Sequence, residues 1–170
     1  FVYPSFLLIS LSGLNFIKTI YFRKKSKHLY FSCFILVIPI ALWMYKNHPH
    51  QNVYFNFLAS KNFNERYEMD YFGLSNKQAL EHIINQENKI VKIYNLSTSD
   101  LGLSRKILKK ELREKINITG NIKNADYVIN NYRDWRGKIK PTNFKTPSGF
   151  KIFYEIKVDN VSINTVYNKE

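Results

Sequence analysis

The sequence has a single cysteine, Cys33, and no acidic residue before Glu65. One cysteine cannot form an internal disulfide, and Cys33 lies inside an apolar run, where it reads as a small packing residue. No cysteine pair, glycine-rich phosphate loop, Ser-His-Asp arrangement or internal repeat can be read along the chain. The lack of acids near the start leaves Lys18, Arg23, Lys24, Lys25, Lys27 and Lys46 unbalanced in residues 1–50. The remaining 20 basic and 13 acidic residues leave +7 on residues 51–170. A nucleic-acid partner would call for a basic face on a soluble domain. Here the densest positive cluster lies between two apolar runs and the later charges are interspersed, so membrane topology accounts for it and no nucleic-acid partner is expected.

The first apolar run, residues 1–22, is about long enough to cross ~30 Å of hydrocarbon. Ser5, Ser10, Ser12 and Gly13 give it a small-residue side suited to helix packing. A secretory signal would place its basic residues before the apolar core, whereas here they follow it. Arg23-Lys-Lys-Ser-Lys27 is then a cytoplasmic loop by the positive-inside rule. Residues 29–46 form a second span that Pro39 should kink. Trp43, Tyr45 and Lys46 suit its interfacial end. Both flanks would lie outside the cytoplasm.

After Pro49 the composition becomes that of a mixed soluble domain, so the expected organisation is two membrane helices in residues 1–50 and an extracytoplasmic α/β domain in residues 51–170. Ser75-Asn-Lys-Gln78 reads as a capping box opening a helix over 76–86, with Ser75 as N-cap. Residues 89–96 and 125–130 read as strands, and 103–115 as one helix on the period of Leu103, Ile107, Leu108 and Leu112. Residues 150–158 and 161–167, joined by Asp159-Asn160, read as a closing hairpin.

Five pieces taken together resemble a known family: Phe1-Val-Tyr-Pro4, the stretch His48–Asn56, Asp70–Ser75, Ala125–Tyr132 and Tyr154–Val166. Their order is similar to the C-terminal end of bacterial multi-span glycosyltransferases of the dolichyl-phosphate-mannose protein mannosyltransferase (family 39-like) group. The resemblance implies an integral enzyme of the bacterial inner membrane that takes a polyprenyl-phosphate-linked sugar as donor. It also implies further membrane helices upstream of Phe1, and a catalytic carboxylate in an early external loop that this chain does not contain. No cofactor is implied.

Several side chains could carry a site, each with a plainer alternative. His48, His50 and Gln51 follow the interfacial end of the second span, at the depth where a donor phosphate sits, with Tyr3 at the opposite external boundary. They could bind that substrate, or form a solvated helix end. A metal is not expected, because no carboxylate or third histidine stands near His48-Pro-His50. Asp70 could be catalytic or cap a turn, and Arg133-Asp-Trp-Arg136 could bind an anionic acceptor or form a local Arg–Asp pair. A non-catalytic membrane-anchored binding domain is the rival to the enzyme.

Overall fold

The apolar N-terminal stretch forms two helices, α1 (Tyr3–Ile20) and α2 (Ser26–Lys46), with a basic turn between them. This is a computed structural model, and it describes residues 3–23, 25–56, 59, 67–133 and 145–170. Phe1, Val2, Lys24, Glu65, Asp134, Trp135 and Arg136, named above, lie outside the described residues. The chain divides into one unit over Phe1–His48 and a second over Pro49–Glu170.

In the first unit, α2 is long and apolar enough to cross a membrane, while the apolar helical stretch Pro4–Ile20 is shorter. Both present apolar side chains on all sides. Leu8, Phe16, Phe31, Phe34, Leu36 and Leu42 are all exposed, Leu36 by 72%. A helix that is apolar all round belongs in a core or in lipid. Pro39 sits inside α2, and the helix ends at Lys46, with Asn47 donating its backbone N–H to the carbonyls of Trp43 and Tyr45.

The second unit is a mixed α/β fold built on a five-stranded sheet. Its elements in chain order are α3 (Leu74–Gln86), β1 (Val91–Asn95), α4 (Leu101–Lys106), α5 (Lys110–Glu114), β2 (Ile116–Thr119), β3 (Tyr127–Asn130), β4 (Phe150–Val158) and β5 (Val161–Lys169). The sheet order is β2-β1-β3-β5-β4. β1 pairs parallel with β2 and β3, whereas β5 runs antiparallel to both β3 and β4. Ala79, Leu80, Ile83 and Ile84 of α3 are buried with Val91 and Ile93 of β1 and Ile163 of β5. Val128, Tyr167, Phe150 and Ala125 form a second apolar cluster, against which Tyr94 and Ile122 pack.

Two local expectations need correction. Residues 103–115 are not one helix. The inward positions are Leu101, Ser104 and Leu108, while Leu103 and Ile107 are exposed. Asp100 caps α4 by accepting from the Leu103 N–H, and Lys109 is extended, so the chain bends and starts α5 afresh. That bend delivers Ile116, the first residue of β2, to its partner Val91 of β1; β2 is a strand not foreseen from the sequence. Nor is Ser75 the N-cap of α3. Gly73 holds that position at φ +66°, and the capping acceptor is Asp70, four residues upstream of the first helical residue.

The hairpin between β4 and β5 turns on Asp159 (φ +48°) and Asn160 (φ +65°), two residues that tolerate the left-handed region and match the twist of the strands. Asn160→Val should therefore lower stability by about 1–2 kcal/mol, with Asn160→Gly nearly neutral, in urea titrations of the two variants. Tyr127 Oη donates to Glu87 Oε1 at 2.7 Å. Burial, then this bond and the nearby negative charge, push its phenol up from 10.0 to about 12. The folded state thus favours the neutral phenol. That stabilisation is present in full below about pH 10 and is lost as pH rises toward about 12. Tyr127→Phe should flatten that part of the stability–pH profile, measured by denaturant titration at each pH.

Candidate functional site

In open α/β sheets, ligands sit at the carboxyl ends of parallel strands, where successive connections leave in opposite directions. That place in this unit lies between β1 and β3, because the chain leaves β1 for β2 on one side and β3 for the antiparallel strands on the other. The segments meeting there are Asp70–Asn76, Asn95–Asp100 and Asn130–Arg133.

Asp70 is 1% exposed and spends its carboxylate on the start of α3. Oδ1 accepts from the Leu74 N–H at 3.0 Å, and Oδ2 accepts from the Ser75 N–H at 3.1 Å and from Ser75 Oγ. Its backbone carbonyl accepts from Asn131 Nδ2 at 3.1 Å. Ser99 Oγ donates to Asn131 Oδ1 at 3.0 Å and accepts from Asn76 Nδ2 at 2.9 Å. Ser97 Oγ lies 2.8 Å from Ser99 Oγ and 2.9 Å from Asn95 Oδ1. From β5, Asn164 Nδ2 donates to Ser75 Oγ at 2.8 Å and to Asn76 Oδ1 at 2.9 Å, while its own buried Oδ1 has no partner. The crevice is thus filled by amides and hydroxyls that bond one another, with a capping carboxylate beneath. Such a set orients backbone; it offers no free base or nucleophile.

A second polar chain joins the start of this unit to the same helix. His50 is 5% exposed, and its Nε2 meets Gln78 Oε1 at 2.9 Å. Gln78 Nε2 donates to Tyr154 Oη at 3.1 Å, and the Tyr154 ring stacks on His82 at 3.8 Å. With Nε2 facing a carbonyl oxygen, Nε2 carries a proton, and the buried Nδ1 has no partner.

The four residues singled out for substrate binding differ in setting. His48 is exposed in the turn after α2, and Gln51 is half-buried at the start of a 3-10 turn, Gln51–Val53. His50, between them, is turned into the α/β unit. Tyr3 opens α1, and its side chain lies outside the described residues. Arg133 rests over the Tyr71 ring at 4.3 Å and pairs with Glu68 at 3.8 Å, while the Arg–Asp pair expected in Arg133–Arg136 involves Asp134, outside the described residues. Among the described residues no three His, Cys, Asp or Glu side chains are placed to hold a metal ion.

Asn76, Ser99, Asn131 and Asn164 were missed by sequence reasoning. In a chain this rich in Asn a single Asn carries no signal, and these bonds span 23 to 89 residues. A signal existed in combination. Asp70–Ser75, Ala125–Tyr132 and Tyr154–Val166, quoted above for their order, each send a side chain into this one network. The stretch His48–Asn56 joins them through Gln78 and Tyr154. No protein-family model, curated protein or solved structure matches the chain.

A Cβ on Gly73 would meet Asn76 Nδ2 at 3.1 Å and Ser99 Cβ at 3.3 Å, in a left-handed backbone. Gly73→Ala should cost on the order of 1–3 kcal/mol, strain and network disruption together. Gly120→Ala, where nothing lies within 4 Å, is the control in the same thermal unfolding series.

Proposed function

We propose that this chain is the C-terminal part of an integral-membrane glycosyltransferase that moves a sugar from a polyprenyl-phosphate donor to a cell-envelope acceptor. In this reading α1 and α2 are its last two spans, packed with upstream helices of the same protein in the bacterial inner membrane. The α/β unit then stands on the extracytoplasmic side. The observation that carries the reading is the junction. An all-round apolar helix ends at Trp43–Lys46, and four residues later His50 is already built into a folded α/β unit. The sugar chemistry rests on the resemblance of the five ordered pieces, four of which are tied together by hydrogen bonds.

The donor phosphate lies at headgroup depth, where His48 and Gln51 follow the interfacial end of α2 and Tyr3 opens α1. Neutral donors there would bind the phosphate more tightly as negative charge develops on it during transfer. His50 has one role already, on Gln78, and only Nδ1 left for a ligand. The catalytic carboxylate belongs to the upstream part, and Asp70 is not a candidate because helix capping engages it.

A second reading, a non-catalytic membrane-anchored binding domain, is favoured by the crevice, whose polar groups, Asn164 Oδ1 apart, satisfy one another and leave no free base or nucleophile among them. Sugar transfer by the full-length enzyme in membranes separates the two. The His48→Ala/Gln51→Ala variant keeps the His50–Gln78 bond, so the unit stays folded, and transfer should fall by about a hundredfold at equal protein level. Undiminished transfer there, and again in the variant that adds His50→Ala, would reduce the stretch to a helix stop and a linker.

A further inference from the structure

Leu103 and Ile107 repeat at helical period, yet both side chains are turned away from the core. Leu101, Ser104 and Leu108 take the inward face of this stretch, so Leu103 and Ile107, four residues apart, share the opposite one. They are 58% and 65% exposed. Lys106 lies on the same outer face, and exposed Lys109 and Lys110 follow directly. Arg105 Nε donates to the Arg113 carbonyl at 3.1 Å, which folds α5 back against α4. From Arg105 to Lys115, six basic residues stand against two acidic ones, Glu111 and Glu114, a net +4. Lys110 meets Glu114 only at 4.0 Å, with both side chains largely exposed. Lys106 and Lys109 have no carboxylate partner among the described residues.

We infer that this surface, Leu103 and Ile107 flanked by Lys106, Lys109 and Lys110, docks on the headgroup layer of a bilayer that contains anionic lipid. It is a property of the α/β unit alone and does not rest on the sugar chemistry proposed above. Charge complementarity supplies the first argument, because the ammonium groups of Lys106 and Lys109 are not neutralised within the protein. The two aliphatics supply the second. Lysine stems lie along apolar surface and carry their charges to the phosphates, while a leucine and an isoleucine enter the boundary between headgroups and acyl chains. A nucleic acid or another soluble polyanion offers nothing to two exposed aliphatic side chains. A protein partner would call for aromatic anchors and few lysines at the centre of the patch. No aromatic residue occurs between Leu101 and Lys115.

The test holds the full chain in phosphatidylcholine nanodiscs, whose surface is neutral, and adds sucrose-loaded vesicles that sediment. Vesicles containing phosphatidylglycerol should carry the protein down, and pure phosphatidylcholine vesicles should not. Lys106→Gln/Lys109→Gln should weaken the binding about thirtyfold, at about 1 kcal/mol for each lysine. Leu103→Ser/Ile107→Ser should weaken it about tenfold or more. All four side chains are on the surface, and unchanged thermal unfolding checks that each variant is folded. Lys145→Gln/Lys151→Gln removes the same charge at β4, the opposite edge of the sheet from β2 and α5, and should have little effect. With Cys33→Ser and a fluorophore on Ile107→Cys, nitroxide on the vesicle headgroups should quench the emission only when phosphatidylglycerol is present. Undiminished binding in Lys106→Gln/Lys109→Gln overturns the inference, and so does an equal loss in Lys145→Gln/Lys151→Gln, which would mean attraction by net charge alone. A loss in the lysine variant with full binding in Leu103→Ser/Ile107→Ser and no quenching at Ile107 would assign the surface to a soluble polyanion or an acidic protein, and would also overturn it.

Discussion

The α/β unit depends on one buried negative charge. Asp70 sits almost out of reach of water, and a carboxylate there is tolerable only if its lone pairs are filled by strong donors. Leu74 and Ser75 fill them with backbone N–H groups at the start of α3, where the helix dipole also favours a negative group. Once that carboxylate is placed, Ser75 Oγ is oriented. Asn164 can then reach it from β5, and Asn131 reaches the Asp70 carbonyl from the end of β3. A helix start, the carboxyl end of a parallel strand and an antiparallel strand are thereby held in one register by a group that contributes no apolar contact.

This arrangement also constrains where chemistry can occur. The usual ligand crevice of a parallel sheet is occupied by side chains whose donors and acceptors, Asn164 Oδ1 apart, are matched to each other. Opening it would strand several buried polar groups at once. In the function proposed above, the α/β unit would set positions and the membrane part would carry the reaction.

The parts of the fold legible in the sequence were those decided locally. The Asp159-Asn160 turn needs two residues that accept positive φ, and the alternating runs on either side define its strands. The apolar face of α3 repeats at helical period. The errors arose where a distant partner decides. Ser75 matches a capping box, yet a carboxylate five residues earlier takes the capping role because it can be buried with Asn131 and Asn164 around it. Leu103 and Ile107 fit a helical period, but burial of Leu101 and Leu108 requires a bend between two short helices. His50 carries no local sign that it turns inward; its partner Gln78 is 28 residues away.

The sheet order has a consequence for how the chain acquires its shape during synthesis. β5 lies between β3 and β4 and is the last of the five strands to be made, some 30 residues after β3. Until it arrives, β3 offers the backbone of Val128 and Ile129 as an open edge, and the parallel half β2-β1-β3 has nothing on that flank. Asn164 is missing from the polar network over the same interval. An unpaired apolar edge is a template for wrong partners. If α2 is held in a bilayer, as proposed above, the chain would meet that exposure singly and tethered, spaced from its neighbours in two dimensions. Tethering of this kind protects a late-closing sheet without any added residue.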